Sequence, residues 1–174
     1  MATWSEVSSG EPFAARIGDV SLGDLRATLS TRGVQTNASA DALLSSSIWD
    51  DVTTETFLAV ARTVSELGLI GGGTYPDILR AARAVGLGVC PPTTGVFLRL
   101  ALRDQPAAPD AMMSKGSAPS GSLTIATDPL FDEGLPRGFY LRVIGGVPWL
   151  RGFHCSDEHV WSPGDLLLFR DGNP

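Results

Sequence analysis

The spacing of apolar residues changes near Pro91 and Pro92, and this change constrains the fold more than any other feature of the sequence. Before the prolines, apolar side chains recur every three or four residues, which is typical of helices with one buried face. After them, apolar and polar side chains alternate over residues 96–103, which is typical of a strand. The change predicts an α+β fold, in which a helical half of about four helices (residues 21–87) packs on an antiparallel β-meander of four to five strands (residues 95–171).

Capping patterns and apolar spacing indicate where the helices lie. Ser21 with Asp24, and Thr74 with Asp77, have the spacing of a capping box, in which two side chains bond backbone N–H groups at a helix start. The most regular apolar spacing predicts a helix over about 54–67. Its buried stripe would consist of Phe57, Val60, Ala61, Val64 and Leu67.

A hairpin is the most specific feature of the second half. Segments 139–144 and 147–153 are separated by two glycines, and a Gly-Gly loop suits the primed turns that join paired strands. Further short strands are predicted over 123–126 and 166–170. Residues 105–122 are rich in Pro, Ala and Ser and are predicted to form a flexible loop.

Length, charge and cysteine content exclude several classes of protein. The 174 residues (1–174) suit a single domain. The net charge is −6 and Lys115 is the only lysine, so we expect no nucleic-acid partner. No apolar stretch approaches the ~18 residues of a membrane helix and no signal peptide is recognisable, so we expect no membrane association and a cytoplasmic location. Cys90 and Cys155 lie far apart, which argues against a secreted, disulfide-built scaffold.

Four short segments resemble an uncharacterised bacterial protein family with no known activity. They match the family's ELG, LGLxLCP, LRL and DQP motifs, and they are residues 66–68, 84–91, 98–100 and 104–106. The chain departs from the family over residues 92–95, where the family has an acidic residue before a Val-Gly step. The resemblance covers roughly residues 55–170 and implies helices followed by strands. It implies no catalytic residue and no substrate.

One face of the predicted hairpin combines aromatic and arginine side chains, namely Tyr140, Arg142, Trp149, Arg151 and Phe153. Tryptophan, tyrosine and arginine are the residues that most often anchor interfaces. The face therefore predicts a non-catalytic binding domain for a protein partner or for a small anionic or aromatic ligand. Arginine stacked on tryptophan within the sheet, without any ligand, explains the same pattern equally well. The oligomeric state stays open.

The residues that follow the hairpin suggest a small enzyme as the alternative. Both histidines of the chain, His154 and His159, lie beside Asp157 and Glu158, and these are ligand types for a divalent metal such as zinc. The spacing matches no zinc motif, and a polar turn with solvated histidines explains it as well. No other cofactor is expected. A concave pocket at residues 154–159 would favour the enzyme, whereas a flat exposed face would favour binding.

Overall fold

The computed structural model describes residues 2–112, 117–130 and 134–172. These ranges contain five α-helices and ten strands, and the last five strands follow the last helix. No helix in the described ranges is long and apolar enough to cross a membrane.

The bounds of these elements show that helices and strands are mixed throughout the chain. The helices are α1 (Trp4–Ser9), α2 (Leu22–Thr31), α3 (Ala38–Leu44), α4 (Tyr75–Ala84) and α5 (Thr94–Ala101). The strands are β1 (Phe13–Ile17), β2 (Gln35–Thr36), β3 (Glu55–Thr63), β4 (Gly73–Thr74), β5 (Leu87–Gly88), β6 (Leu123–Ile125), β7 (Gly138–Ile144), β8 (Val147–Phe153), β9 (Val160–Trp161) and β10 (Leu166–Asp171).

Eight of the strands form one mixed sheet. Its order is β1-β3-β10-β6-β7-β8-β2, and β5 pairs with the end of β10. Most neighbours are antiparallel, but β10 with β6 and β2 with β8 are parallel pairs. β4 and β9 form a separate two-stranded ladder. The middle of the large sheet therefore joins β3 and β10, which are far apart in the sequence.

Both faces of the large sheet carry a hydrophobic core. On the first face, marked by Leu141 and Leu150, side chains of α1, α2, α3 and α5 pack against the strands. The second core includes Leu167 and Phe169 of β10, together with side chains of α4. We call this side the second face; on the hairpin it is marked by Tyr140, because successive strand residues point to opposite sides.

The predicted α+β arrangement is wrong, because a strand occupies the position of the predicted third helix. β3 pairs with β1 on one edge and with β10 on the other, and only Ser65–Leu67 form a short 3₁₀ turn. Ala59, Val60 and Ala61 are all buried, since each face of β3 is covered by a core. A strand buried on both faces loses its period of two, so apolar spacing alone does not separate it from a helix.

The second error concerns residues 96–103, which were predicted as a strand and lie mostly in α5. Val96, Leu98 and Arg99 are buried together, so one broad face of the helix packs on the sheet. Gly95 permits this approach, because a Cβ atom there would lie 2.6 Å from Cβ of Phe139. The change of spacing at the two prolines therefore marks no boundary between a helical half and a meander.

Several local predictions are confirmed. The hydroxyl of Ser21 accepts a hydrogen bond from the backbone N–H of Asp24 at the start of α2, and Thr74 forms a capping box with Asp77 at the start of α4. The strands β7 and β8 form the expected hairpin. Both glycines of its turn have positive φ, as primed turns require.

Candidate functional site

The hairpin β7–β8 places the five residues of the predicted binding face on the second face of the sheet. Tyr140 lies opposite Arg151, and Arg142 lies opposite Trp149, as the register predicts. Their exposure differs: Tyr140 and Arg142 are buried, whereas Trp149, Arg151 and Phe153 are half-buried. The five side chains therefore do not form one flat, open surface.

Arg142 is not available to a partner, because a covering segment holds its guanidinium. This covering segment consists of residues 105–112 and 117–122, the described part of the predicted loop. The Arg142 Nε donates to the carbonyl of Ser120 (2.9 Å), Nη1 to the carbonyl of Met112 (3.0 Å), and Nη2 to the carbonyl and Oδ1 of Asp110 (2.9 and 3.1 Å). The guanidinium thus has carbonyl acceptors and a carboxylate, and it anchors the covering segment to β7.

A cavity of about 420 Å³, which we call the aromatic cavity, lies on the second face beside the covering segment. Tyr140, Phe153 and Trp161 supply its aromatic side chains. The other lining residues come from β6, the covering segment and the loop after β8: Ser117, Ala118, Pro119, Thr124, His154, Cys155, Ser156 and His159. Residues from both sequence-based hypotheses, the aromatic face and the histidine loop, therefore line one concave site.

The aromatic rings support each other by edge contacts. Phe153 and Trp161 are T-shaped, with ring centroids 5.7 Å apart and an interplanar angle of 82°. Tyr140 lies 6.4 Å from Phe153, and the ring of His159 lies 6.0 Å from Trp161. Such edge-to-face pairs contribute about 0.5–1.5 kcal/mol each beyond burial. The aromatic side of the cavity is therefore preformed.

Trp161 was not predicted as a site residue, because a long-range contact positions it. It lies in β9 and pairs with Gly73 of β4. Gly72 has a φ of 88°, and a Cβ atom there would lie 2.2 Å from the carbonyl oxygen of Trp161. The glycines at residues 71–73 therefore allow β9 to approach β4.

One polar group of the aromatic cavity lacks a partner among the described residues. The indole N–H of Trp161 is buried and has no hydrogen-bond acceptor. The indole N–H opposes only a part of the rise in the pKa of the Cys155 thiol that burial causes, and it is not in hydrogen-bonding geometry with that sulfur. An unpaired buried donor costs about 1–3 kcal/mol, so the site is prepared for an acceptor.

Comparison with protein-family models, with curated proteins and with solved structures found no match to this chain. The resemblance to the bacterial family therefore gains no support from a family model. The site must be interpreted from its own chemistry.

The histidine loop reaches the aromatic cavity only in part. His154 and His159 line it, but the carboxylate of Asp157 accepts a hydrogen bond from Nη2 of Arg137 at 2.5 Å, and Glu158 is exposed. In the described part of the chain, no group of three or more His, Cys, Asp or Glu side chains is arranged to hold a metal ion. Of the four predicted residues, the structure therefore brings His154 and His159 to the cavity and directs Asp157 to Arg137.

Cys155 is not arranged as an activated nucleophile. Burial raises the pKa of its thiol, against the smaller opposing influences of Arg137 and Trp161. A reactive cysteine needs a lowered pKa, because the thiolate is the nucleophile. The environment of Cys155 therefore disfavours thiol catalysis.

Proposed function

We propose that the protein is a non-catalytic binding domain that holds a small, flat, uncharged heteroaromatic compound in the aromatic cavity. The observation that carries the proposal is the buried, unpartnered indole N–H of Trp161 within an aromatic lining. A heteroaromatic ligand supplies both a ring to stack and a ring nitrogen to accept that hydrogen bond.

The shape and lining of the aromatic cavity favour this class of ligand. Its volume of about 420 Å³ lies within the ordinary range of small-molecule sites, which also combine apolar walls with few polar groups. The polar lining groups include the hydroxyls of Thr124 and Ser156, and no arginine or carboxylate lines the cavity in the described ranges. Of the ligands considered from the sequence, an aromatic compound therefore fits this face better than an anion.

A protein partner fits this face less well. The interface would need the aromatic and arginine side chains to be accessible together, but Arg142 is fully buried under the covering segment. Arg151 is also engaged within the sheet, because its Nε donates to the Tyr140 hydroxyl at 2.7 Å and its guanidinium lies over the Trp149 ring. Of the two half-buried aromatic residues of this face, Phe153 lines the concave aromatic cavity and Trp149 stacks with Arg151.

The test compares two bicyclic probes of similar size, quinoline and free indole, in titrations followed by ligand-observed NMR. Quinoline carries a ring nitrogen that accepts a hydrogen bond, whereas free indole carries only a donor. We expect quinoline to bind several-fold more tightly, because only quinoline pairs with the N–H of Trp161. Absence of saturable binding by both probes would contradict the proposal.

Two substitutions assign the binding to the aromatic cavity. Trp161→Phe retains an aromatic ring and removes the N–H, so we expect quinoline to lose its preference over free indole. Trp149→Phe is the matched control, because Trp149 lies on the same face of the hairpin but does not line the cavity. A quinoline preference that survives Trp161→Phe, or that disappears in Trp149→Phe, would place the probe elsewhere.

A metal-assisted enzyme is the second proposal. Two observations favour it: the site is concave at residues 154–159, and both histidines line it. We rank it second because neither Asp157 nor Glu158 lines the aromatic cavity. Elemental analysis of protein purified without a histidine tag separates the two. The binding proposal expects no stoichiometric metal. Stoichiometric zinc that is lost in a His154→Ala/His159→Ala variant would favour the enzyme instead.

A further inference from the structure

A second cavity lies where the first face of the hairpin meets the ends of two helices. Its volume is about 460 Å³. Val143, Gly146 and Pro148 line it from the hairpin, and further lining comes from the segments that follow α2 and α5. We call it the arginine cavity, because Arg32, Arg99 and Arg103 line it.

No carboxylate among the described residues neutralises the positive charge of the arginine cavity. None of the ion pairs in the described ranges includes Arg32, Arg99 or Arg103, and no carboxylate of those ranges lines the cavity. The adjacent carboxylate of Asp104 is directed to α1, where it accepts a hydrogen bond from the backbone N–H of Trp4 at 2.8 Å. Three cationic side chains around one concavity are unusual in a protein whose net charge is −6.

Arg99 shows the imbalance most clearly, because its side chain is only 3% exposed. Its Nη1 donates to Oε1 of Gln105 at 2.7 Å and its Nη2 to the carbonyl of Leu102, and both acceptors are uncharged. Its Nε is buried without any acceptor in the described part of the chain. A buried guanidinium without a counter-charge is strongly unfavourable, so a stable protein seldom retains one for packing alone.

The end of α5 explains only part of this arrangement. Arg32 donates from Nη1 to the carbonyl of Leu100 at 2.5 Å, and Arg99 binds the carbonyl of Leu102, so each arginine satisfies one carbonyl at the helix end. A helix C-terminus carries about half a negative charge. Three full positive charges exceed that by far, and Arg103 has no hydrogen bond or ion pair in the described ranges.

We propose that the arginine cavity binds a small organic anion, whose phosphate or carboxylate group is held by Arg99 and Arg103 and whose apolar part lies against Val143, Leu102 and Pro148. The planar guanidinium matches both oxyanions by paired hydrogen bonds. The apolar lining from the hairpin and from α5 gives the ligand body a place out of water. This site lies on the opposite face of the hairpin from the aromatic cavity and does not depend on it.

The experiment titrates the full chain with three probes that share one ring: phenyl phosphate, benzoate and benzamide, at constant ionic strength by calorimetry. We expect at least one anion to bind at least tenfold more tightly than the neutral amide. Stronger binding of phenyl phosphate assigns the site to phosphate esters, and stronger binding of benzoate assigns it to carboxylates. Equal or absent binding of all three probes overturns the proposal.

Arg103→Gln is the decisive variant, because Arg103 is exposed and its loss leaves the fold intact. We expect it to weaken the preferred anion about tenfold. Arg80→Gln removes an equal charge from an exposed position outside the cavity, so it should change the affinity less than twofold. Equal weakening in both variants would indicate a general charge effect and overturn the site. Trp161→Phe should leave anion binding unchanged, so a failure here is distinguishable from a failure of the heteroaromatic proposal.

Discussion

Arg142 on the second face and Arg99 beside the first are both buried arginines, but their surroundings differ. Arg142 is completely buried and has a carboxylate together with three backbone carbonyls as acceptors. Arg99 has only two neutral acceptors, and one of its nitrogens has none in the described ranges. The first arrangement is complete without a ligand and the second is not. A structural arginine therefore differs from a candidate binding residue in whether its buried charge has enough acceptors. Burial alone does not distinguish them.

The same distinction holds between two aromatic residues of the second core. The Tyr75 hydroxyl donates to the carbonyl of Thr127 and accepts from its backbone N–H, both at 3.0 Å. The Trp161 N–H has no acceptor in the described part of the chain, although the two rings lie 5.7 Å apart. Groups with all their hydrogen-bond partners and groups that lack an acceptor should therefore respond differently to substitution.

The largest expected effect on stability comes from replacing Arg142, the arginine whose hydrogen bonds are complete. Arg142→Met removes the hydrogen bonds that hold the covering segment, so the free energy of unfolding should fall by about 3–5 kcal/mol. Urea denaturation measures it. Arg151→Met is the control from the same hairpin face, and it should lose about 1 kcal/mol, because that half-buried side chain makes one hydrogen bond, to Tyr140. Equal losses in the two variants would show that the covering segment does not depend on Arg142.

The contrast between these residues also shows how far the sequence predicts the site. Alternation and the glycine turn correctly placed Arg142 opposite Trp149, because hairpin register is a local property. They did not show that the covering segment returns over that face, since this contact depends on the carbonyl positions of a segment without regular structure. Arg99 was assigned to a strand, and its cavity exists only because the segment is a helix.

The errors in the fold have a related physical cause. Both segments belong to the same core: β3 is an inner strand of the large sheet, and α5 packs on its first face. Burial on both faces removes the alternation of apolar and polar residues from β3. In α5 the alternation is present in the sequence but does not match the burial, because the neighbours Leu98 and Arg99 are both buried. The capping residues of α2 and α4 and the turn of β7–β8 are local, and these were predicted correctly.

The second prediction concerns Tyr75, whose hydroxyl has both of its hydrogen-bond partners. Tyr75→Phe leaves the buried N–H and carbonyl of Thr127 without their partner, so the free energy of unfolding at pH 8 should fall by about 1–3 kcal/mol. Trp161→Phe, which removes a donor that has no acceptor in the described ranges, should lose less than Tyr75→Phe in the same measurement. A larger loss in Trp161→Phe would show that its N–H has a partner in solution.

The third prediction is the pH dependence of the same tyrosine. Burial raises the pKa of Tyr75 to about 12 in the folded protein, whereas the unfolded chain ionises near the ordinary pKa of about 10. The stabilisation from Tyr75 is therefore complete below pH 10 and is lost as the pH rises from about 10 to 12. The loss in the free energy of unfolding is about 1 kcal/mol by pH 11. Burial raises the pKa of Cys90 as well, so the wild type should be compared with Tyr75→Phe, in which only the tyrosine part of the slope disappears. Parallel pH profiles would contradict the assignment.

The smallest expected change in stability is the most informative about the arginine cavity. Arg99→Met removes two hydrogen bonds to neutral acceptors but also removes a buried charge that lacks a carboxylate, and these effects oppose each other. Gln105 keeps its bonds from Nε2 to the carbonyls of Gly121 and Leu141, so the covering segment stays attached. The free energy of unfolding should therefore change by less than about 1 kcal/mol without ligand. With the preferred anion present, the wild type should gain stability and Arg99→Met should not, because only a native state that binds the ligand is stabilised by it. A loss of about 3 kcal/mol without ligand, as expected for Arg142→Met, would instead make Arg99 a second structural arginine.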